Sequence, residues 1–450
     1  MQMSSKILSL MKPMCLAAAV LSFAPILLAA DPPDSEIRLA MADETGGTEA
    51  RSETDTDTAT GVAVRADAGD NVTPVPNLPS PVVDASDRLV PVVPLANAVT
   101  TAEHAAETLH MLGAEVPPGS SRRLAWAATE LFEGVPVSTP VLVVNGQLAG
   151  PTLCVTAAVH GDELNGIEMV RRVMHDLNPD NLAGAVIGVP IVNLQGFRRG
   201  SRYLPDRRDL NRYFPGNRNG SAASRIAHSF FTEIVLHCDA LIDLHTGSFE
   251  RTNLPQLRAD LRNPDVVTIT QGFGATVILH STPANGTLRH AATAAGVPTV
   301  TLEAGGPSEL ELKEVKHGVK GIETLLHTLG MVKRSRLWGD PEPVYYRSSW
   351  VRANRGGILL ADVSLGSSVR RGDLLGSITD PMNNATTNLY SPFSGRIIGM
   401  AKNQVVMPGF AAFHVGIATD QSAPLDASRS GPARHDEAGV DDGYIDGISE

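Results

Sequence analysis

The stretch Pro151-Thr152-Leu153-Cys154-Val155-Thr156-Ala157-Ala158-Val159-His160-Gly161-Asp162-Glu163 decides the fold. Its first nine residues are mostly small, apolar or β-branched, the texture of a strand buried on both faces. The run stops at a histidine, a glycine and two acids. Beyond it Ile167, Val170, Val173, Met174 and Leu177 recur at helical spacing, which predicts a helix over 164–177. The same grammar repeats downstream. A strand is expected over 185–192 and a helix over 221–237. A strand over 240–244 runs into His245-Thr246-Gly247. Another over 297–302 runs into Glu303-Ala304-Gly305-Gly306, ahead of a helix over 316–329. Upstream, 135–144 and 151–159 flank Asn145-Gly146 and read as adjacent strands. Residues 102–112 read as a short helix broken by Pro117-Pro118-Gly119. Strands alternating with helices imply an α/β sheet covered on both faces, and such sheets carry their sites at the carboxyl ends of strands.

Three strand ends therefore matter. His160, Glu163 and His245 match the His₂Glu ligand set of catalytic zinc sites, which leaves a fourth position for water. Asp243 precedes His245 by two residues, so both can share one strand face, and Asp243 is a candidate to orient the imidazole. The alternative, equal on spacing alone, is a pair of hydrogen-bonded turn histidines with Glu163 as the N-terminal charge of a helix. A second His-x-x-Glu, His104 to Glu107, lies in the expected helix and reads as a solvated face. Between the two site histidines, Arg198 to Arg212 form an arginine-rich loop without strand or helix pattern. Arginine grips carboxylates in bidentate fashion, so the loop points to an anionic substrate group. Without aromatic interleaving, nucleic-acid binding is excluded as a reading.

Composition frames the rest. The chain has 450 residues, 42% hydrophobic and 19% charged, with a net charge of −12. Residues 31–90 hold 13 acids against 4 arginines, and 420–450 hold 8 against 2, so the middle is close to neutral. Lys6 and Lys12, the apolar run 14–30 and the polar start at Asp31 form a secretory signal pattern. It predicts export to the periplasm or medium and no stable membrane span after cleavage. Residues 31–105 read as a disordered acidic leader and 419–450 as an acidic disordered tail. Cys154 and Cys238 remain after signal removal, too few for a disulfide scaffold, though one bridge is open to them.

His160-Gly161-Asp162-Glu163-Leu164-Asn165-Gly166, Asn193-Leu194-Gln195-Gly196-Phe197, Asp209-Leu210-Asn211-Arg212, Asp243-Leu244-His245 and Leu302-Glu303-Ala304-Gly305 occur in the order found in the succinylglutamate desuccinylase/aspartoacylase family. The chain resembles that family over about 112–335. The resemblance implies a zinc carboxypeptidase-like mixed sheet flanked by helices, with the catalytic domain at 106–335. It implies one zinc held by His160, Glu163 and His245, with Glu303 as general base. It also implies Arg202 polarising the scissile carbonyl and Asn211 and Arg212 binding a substrate carboxylate. Residues 340–418 have short strands and glycine turns, similar to the barrel-sandwich fold of biotinyl carriers, but the hairpin tip has no lysine to modify. A small accessory β-barrel is expected there. The function expected is amide hydrolysis of an N-acyl amino acid by an exported zinc amidohydrolase. The alternatives are a carboxypeptidase on peptidoglycan or other short peptides, and a non-enzymatic envelope binding protein.

Overall fold

The computed structural model describes residues 105–418 apart from 133–134, 334–338, 340–341 and 403. The expected signal peptide, most of the leader, the tail and His104 lie outside the described residues.

A β-hairpin of β1 (Leu109–Met111) and β2 (Ala114–Val116) opens this part of the chain. The helix expected over 102–112 is thus a strand at its end; Leu112 and Gly113, both at positive φ, reverse the chain there. Next come β3 (Ser120–Phe132), β4 (Val135–Asn145), β5 (Leu148–Ala157), α1 (Asn165–Asp176), β6 (Ala183–Val189), α2 (Leu194–Arg198), α3 (Ala222–Glu233), β7 (Ala240–His245) and β8 (Arg251–Ala259). They are followed by α4 (Pro264–Gly272), β9 (Val277–His280), α5 (Leu288–Ala294), β10 (Thr299–Gly305) and α6 (Leu312–Thr328).

The sheet is mixed. β10, β7, β5 and β6 run parallel to one another in that order, while β8 lies antiparallel outside β10 and β4 antiparallel outside β6. β4 and β5, expected to pair, are separated by β6. Asn145 is not a free turn residue: its Nδ2 donates to the carbonyls of Glu107 and Val116, and Gly146 donates to the Gly184 carbonyl. These contacts turn β5 away from its sequence neighbour.

Alternation along the central strands fills two cores. Leu153, Val155, Ile242, Leu244, Val300 and Leu302 face Met169, Val170, Val173, Ile322 and Leu325 of α1 and α6. Cys154 and Leu241 face the other way, toward Ile226, Phe230 and Phe231 of α3 and Leu288, Ala291 and Ala292 of α5. Burying some 25 cal/mol per Å² of apolar surface on both faces locks the register, because a one-residue slip would turn every side chain over. Asp243, His245 and Glu303 alternate with the first set and so share the α3/α5 side.

The C-terminal strands are β11 (Val344–Tyr345), β12 (Ser348–Arg352), β13 (Gly357–Ala361), β14 (Ser368–Val369), β15 (Leu374–Thr379), β16 (Thr386–Tyr390), β17 (Gly395–Ala401), β18 (Gln404–Val406) and β19 (Ala411–Ile417). They form two layers around Leu359, Leu375, Ile378, Ile397, Phe413 and Val415. One layer is a four-stranded sheet, β16-β15-β13-β18. The other, β12-β19-β17, does not close on itself, because β17 pairs with β8 and continues the main sheet. No helix among the described residues is long and apolar enough to cross a membrane.

Candidate active site

Three adjacent parallel strands deliver the predicted residues to one edge of the sheet: β5 leads to His160 and Glu163, β7 ends on His245, and β10 carries Glu303. Beyond β5 the chain turns sharply, with Ala158 at φ 50. Gly161 packs its Cα against the backbone of Gly196, Phe197 and Ser201, where any side chain would collide. That close approach brings Arg202 alongside the His160–Glu163 turn.

His160, Glu163 and His245 are all buried. His160 Nδ1 lies 2.8 Å from Glu163 Oε1, His245 Nδ1 lies 2.9 Å from Glu163 Oε2, and the two Nδ1 atoms are 3.2 Å apart. On their far sides, His245 Nε2 meets Asp243 Oδ2 at 2.7 Å and His160 Nε2 meets Asp209 Oδ1 at 3.2 Å. An ionised carboxylate only accepts, so Asp243 and Asp209 each hold an Nε2 proton, while each Nδ1 faces Glu163 and donates to it when protonated or presents a lone pair once that proton is gone. With both Nδ1 protons removed, two lone pairs and a carboxylate converge in a buried space, an arrangement that repels itself unless a cation joins the three. Nitrogens at ordinary zinc distances and tetrahedral angle lie about 3.3 Å apart, so the donor set fits a metal ion.

Protonation follows the same logic. Burial works against charge on His245, but Asp243 and Glu163 outweigh it and hold its pKa well above the usual imidazole value. Burial and Arg202 both oppose a proton on His160, and Glu163 with Asp209 still raises its pKa. Burial favours the neutral form of Glu163, yet the facing histidines bring its pKa far below the carboxylate range. Without metal, a proton takes the place of the cation.

The outer partners are built in by register. Thr156 sits opposite Asp243 on β5 and donates to its Oδ1 at 2.9 Å. Asp209, which the sequence singled out only as part of a motif, is the hub of the arginine loop. It accepts from Arg202 at 3.0 Å and from the Asn211 backbone at 2.9 Å, and it pairs with Arg212 at 3.9 Å. Arg202 also reaches Glu163 Oε1 at 3.3 Å, so the predicted carbonyl-polarising arginine does border the cluster. Asn211 Oδ1 accepts from Leu288 N at 2.8 Å, anchoring the start of α5. Arg212 is half-exposed at the rim.

Glu303 is the register partner of His245. Its Oε2 accepts from Asn253 Nδ2 at 3.0 Å, and its Oε1 lies 3.5 Å from Arg258 Nε. Arg251 stands nearby, its guanidinium 5.2 to 5.8 Å from the ring centres of Trp350, Phe410 and Phe249. Burial, then Arg202, Arg258 and Arg352, push its pKa down to about 10. Asn253, Arg251 and Arg258 escaped sequence reasoning. They sit in a strand whose alternation is broken by Pro255, and their relation to Glu303 arises only when β8 lies beside β10. Cys154 and Cys238 form a disulfide with Cα atoms 5.7 Å apart, joining β5 to the turn before β7.

The family profile of the succinylglutamate desuccinylase/aspartoacylase catalytic domain matches residues 149–329, the span that holds every residue of this cluster. Residues 149–329 belong to this family. Among characterised relatives, the chain is 28% identical over 275 residues to an N-alpha-acetyl-L-2,4-diaminobutyric acid deacetylase of Halomonas elongata, covering 58% of this chain and 78% of the relative. Among solved structures, a succinylglutamate desuccinylase from Silicibacter superposes with a TM-score of 0.60 at 24% identity, over 68% of this chain and 97% of that one. The ectoine utilization protein EutE (DoeB) of Ruegeria pomeroyi, with product bound, superposes at 0.61 and 24% identity, over 67% and 97%. An aspartoacylase family protein from Mesorhizobium loti superposes at 0.59 and 22% identity, over 70% and 100%. These structural likenesses show a shared fold. Each match covers 67 to 70% of this chain, more than residues 149–329 hold.

Proposed function

We propose that the chain is an exported, zinc-dependent amidohydrolase that removes the acyl group from an N-acyl amino acid or a similar carboxylate-bearing amide. The observation that carries this reading is the inward-facing set of His160 Nδ1, Glu163 and His245 Nδ1, each imidazole backed by a carboxylate, with Glu303 one strand away in register. His160, Glu163 and His245 would hold one zinc per chain. Zinc bound there would supply a water of near-neutral pKa and a Lewis acid for the amide carbonyl.

The other steps fall to side chains. Glu303 accepts the proton of the attacking water at its carboxylate and returns it to the leaving nitrogen. Arg202, fixed by Asp209 and Glu163, donates to the oxygen that becomes negative as the carbonyl is attacked. Asn211, whose Oδ1 is taken by Leu288, offers its amide hydrogens to a substrate carboxylate, and Arg212 offers its fork. The barrel-like C-terminal strands serve as an accessory unit shaping the mouth of the site, where Trp350 and Phe410 flank Arg251. Export is supported by the N-terminal signal pattern and by the Cys154–Cys238 bridge, since disulfides persist in oxidising compartments.

The test is amine release from a panel of N-acetyl and N-succinyl amino acids, N-acetyl-2,4-diaminobutyrate included, by the purified chain with zinc and after chelation. Metal-dependent turnover abolished in Glu303→Gln supports the reading. Release of C-terminal residues from short peptides in its place would favour the carboxypeptidase. Metal binding without any turnover would favour the binding protein.

A further inference from the structure

Asn253 is 3% exposed and lies between two strands of different parts of the chain: it is the register partner of Gly305 on β10 and of Gly399 on β17. Its Nδ2 donates to Glu303 Oε2 at 3.0 Å. Its Oδ1 points the other way, into space that exists only because residue 399 has no side chain. A Cβ there would come within 2.6 Å of that oxygen, and it would be backed at 3.2 Å by the Cβ of His414 and at 3.6 Å by the Trp350 ring, so the amide would have to give way. The pairing of β8 with β10 is irregular at this point, with a bulge between Glu303 and Gly305, whereas the pairing of β8 with β17 is regular from Gly399 to Ala401. Bulges re-aim side chains, and this one lies beside the amide.

We infer that Asn253 is a positioning residue for Glu303, and that the C-terminal strand β17 takes part in the reaction by holding that amide through Gly399. The inference rests on Glu303 acting as general base. Arg258, at 3.5 Å from Oε1, constrains the carboxylate more loosely. The close hydrogen bond from Asn253 therefore fixes the torsion of the Glu303 carboxylate. A buried amide between two strands satisfies one carboxylate oxygen and leaves the other for the proton that hydrolysis moves.

The experiment uses the zinc-loaded full chain and the N-acyl amino acid on which the wild type turns over fastest. Asn253→Ala, the nearly isosteric Asn253→Asp and Gly399→Ala are compared with Glu303→Gln. Losing a hydrogen bond to a charged group is expected to lower kcat about 10- to 100-fold in Asn253→Ala, with KM and zinc content unchanged. kcat should fall further in Asn253→Asp, where a second carboxylate faces Glu303 and no N–H is left to hold it. Gly399→Ala should reproduce part of the loss, and that effect should vanish in an Asn253→Ala background. A structural role alone would lower the melting temperature without lowering kcat at unchanged KM and zinc content. Unchanged kcat in Asn253→Asp and Gly399→Ala, with Glu303→Gln inactive, overturns the inference while leaving the base in place. Full turnover in Glu303→Gln overturns the reading on which it rests.

Discussion

Glu303 and His245 are register partners on adjacent parallel strands, so the proposed base and a metal-ligand candidate are held side by side by the hydrogen-bond ladder of the sheet. No loop intervenes between them. The separation between the two groups is set by strand spacing, about 4.8 Å, and is insensitive to surface changes.

Glu303→Gln should keep the fold and the zinc, because the amide is nearly isosteric and the ligand set is complete without it. Turnover should fall about 10²- to 10⁴-fold, the usual cost of losing a general base. Steady-state kinetics with elemental analysis checks this. Loss of zinc would make Glu303 a ligand and reopen the role of Glu163.

His160→Ala and His245→Ala should each abolish zinc retention through gel filtration, whereas His104→Ala should leave about one zinc per chain. Full occupancy in the His160 variant would refute the ligand set.

Asp243→Asn removes the negative charge that faces the His245 Nε2 proton at 2.7 Å. Its zinc affinity should fall about 10- to 100-fold, as for other carboxylates that orient a ligating histidine. Competition with a chromophoric chelator measures the change; an unaltered dissociation constant would show that the charge of Asp243 does not tune the ligand.

The metal-induced gain in melting temperature should grow with pH. In the metal-free protein, burial opposes a charge on His245, but Asp243 and Glu163 raise its pKa well above the imidazole value. A group whose folded pKa is raised stabilises fully below its unfolded value, about 6.5, and that contribution is lost as pH climbs through the folded value. Zinc displaces the proton, so its stabilisation should be small near pH 5.5 and larger toward about pH 8. Calorimetry with and without chelator tests this. A constant increment across that range would contradict the shared site of proton and metal.

Arg212→Lys keeps a charge but loses the fork. KM for free-acid substrates should rise about tenfold or more while zinc content stays the same, and the preference over amidated analogues should shrink. An unchanged preference would place the carboxylate elsewhere.

Much of this was written along the chain. The 3.6-residue period after Glu163 located α1, and short apolar runs ending on His160, His245 and Glu303 located the central strands with their functional ends. Both are local signals: periodicity records which side of an element is buried, and a polar residue closing an apolar run records where a strand leaves the core. The sequence by itself determined the central strands and their ends, the helices α1, α3 and α6, and the identity of the ligand candidates. Only the tertiary structure decided that β6 enters between β4 and β5 and that β17 extends the main sheet. It also placed Asp209 behind His160, paired Cys154 with Cys238, and set Asn253 between Glu303 and Gly399. Those relations join residues far apart along the chain, as Arg251 and Ala401 are in register. They depend on strand order and register, which are fixed by how two helical layers and a continuing sheet bury both faces at once, and no spacing along the chain encodes that.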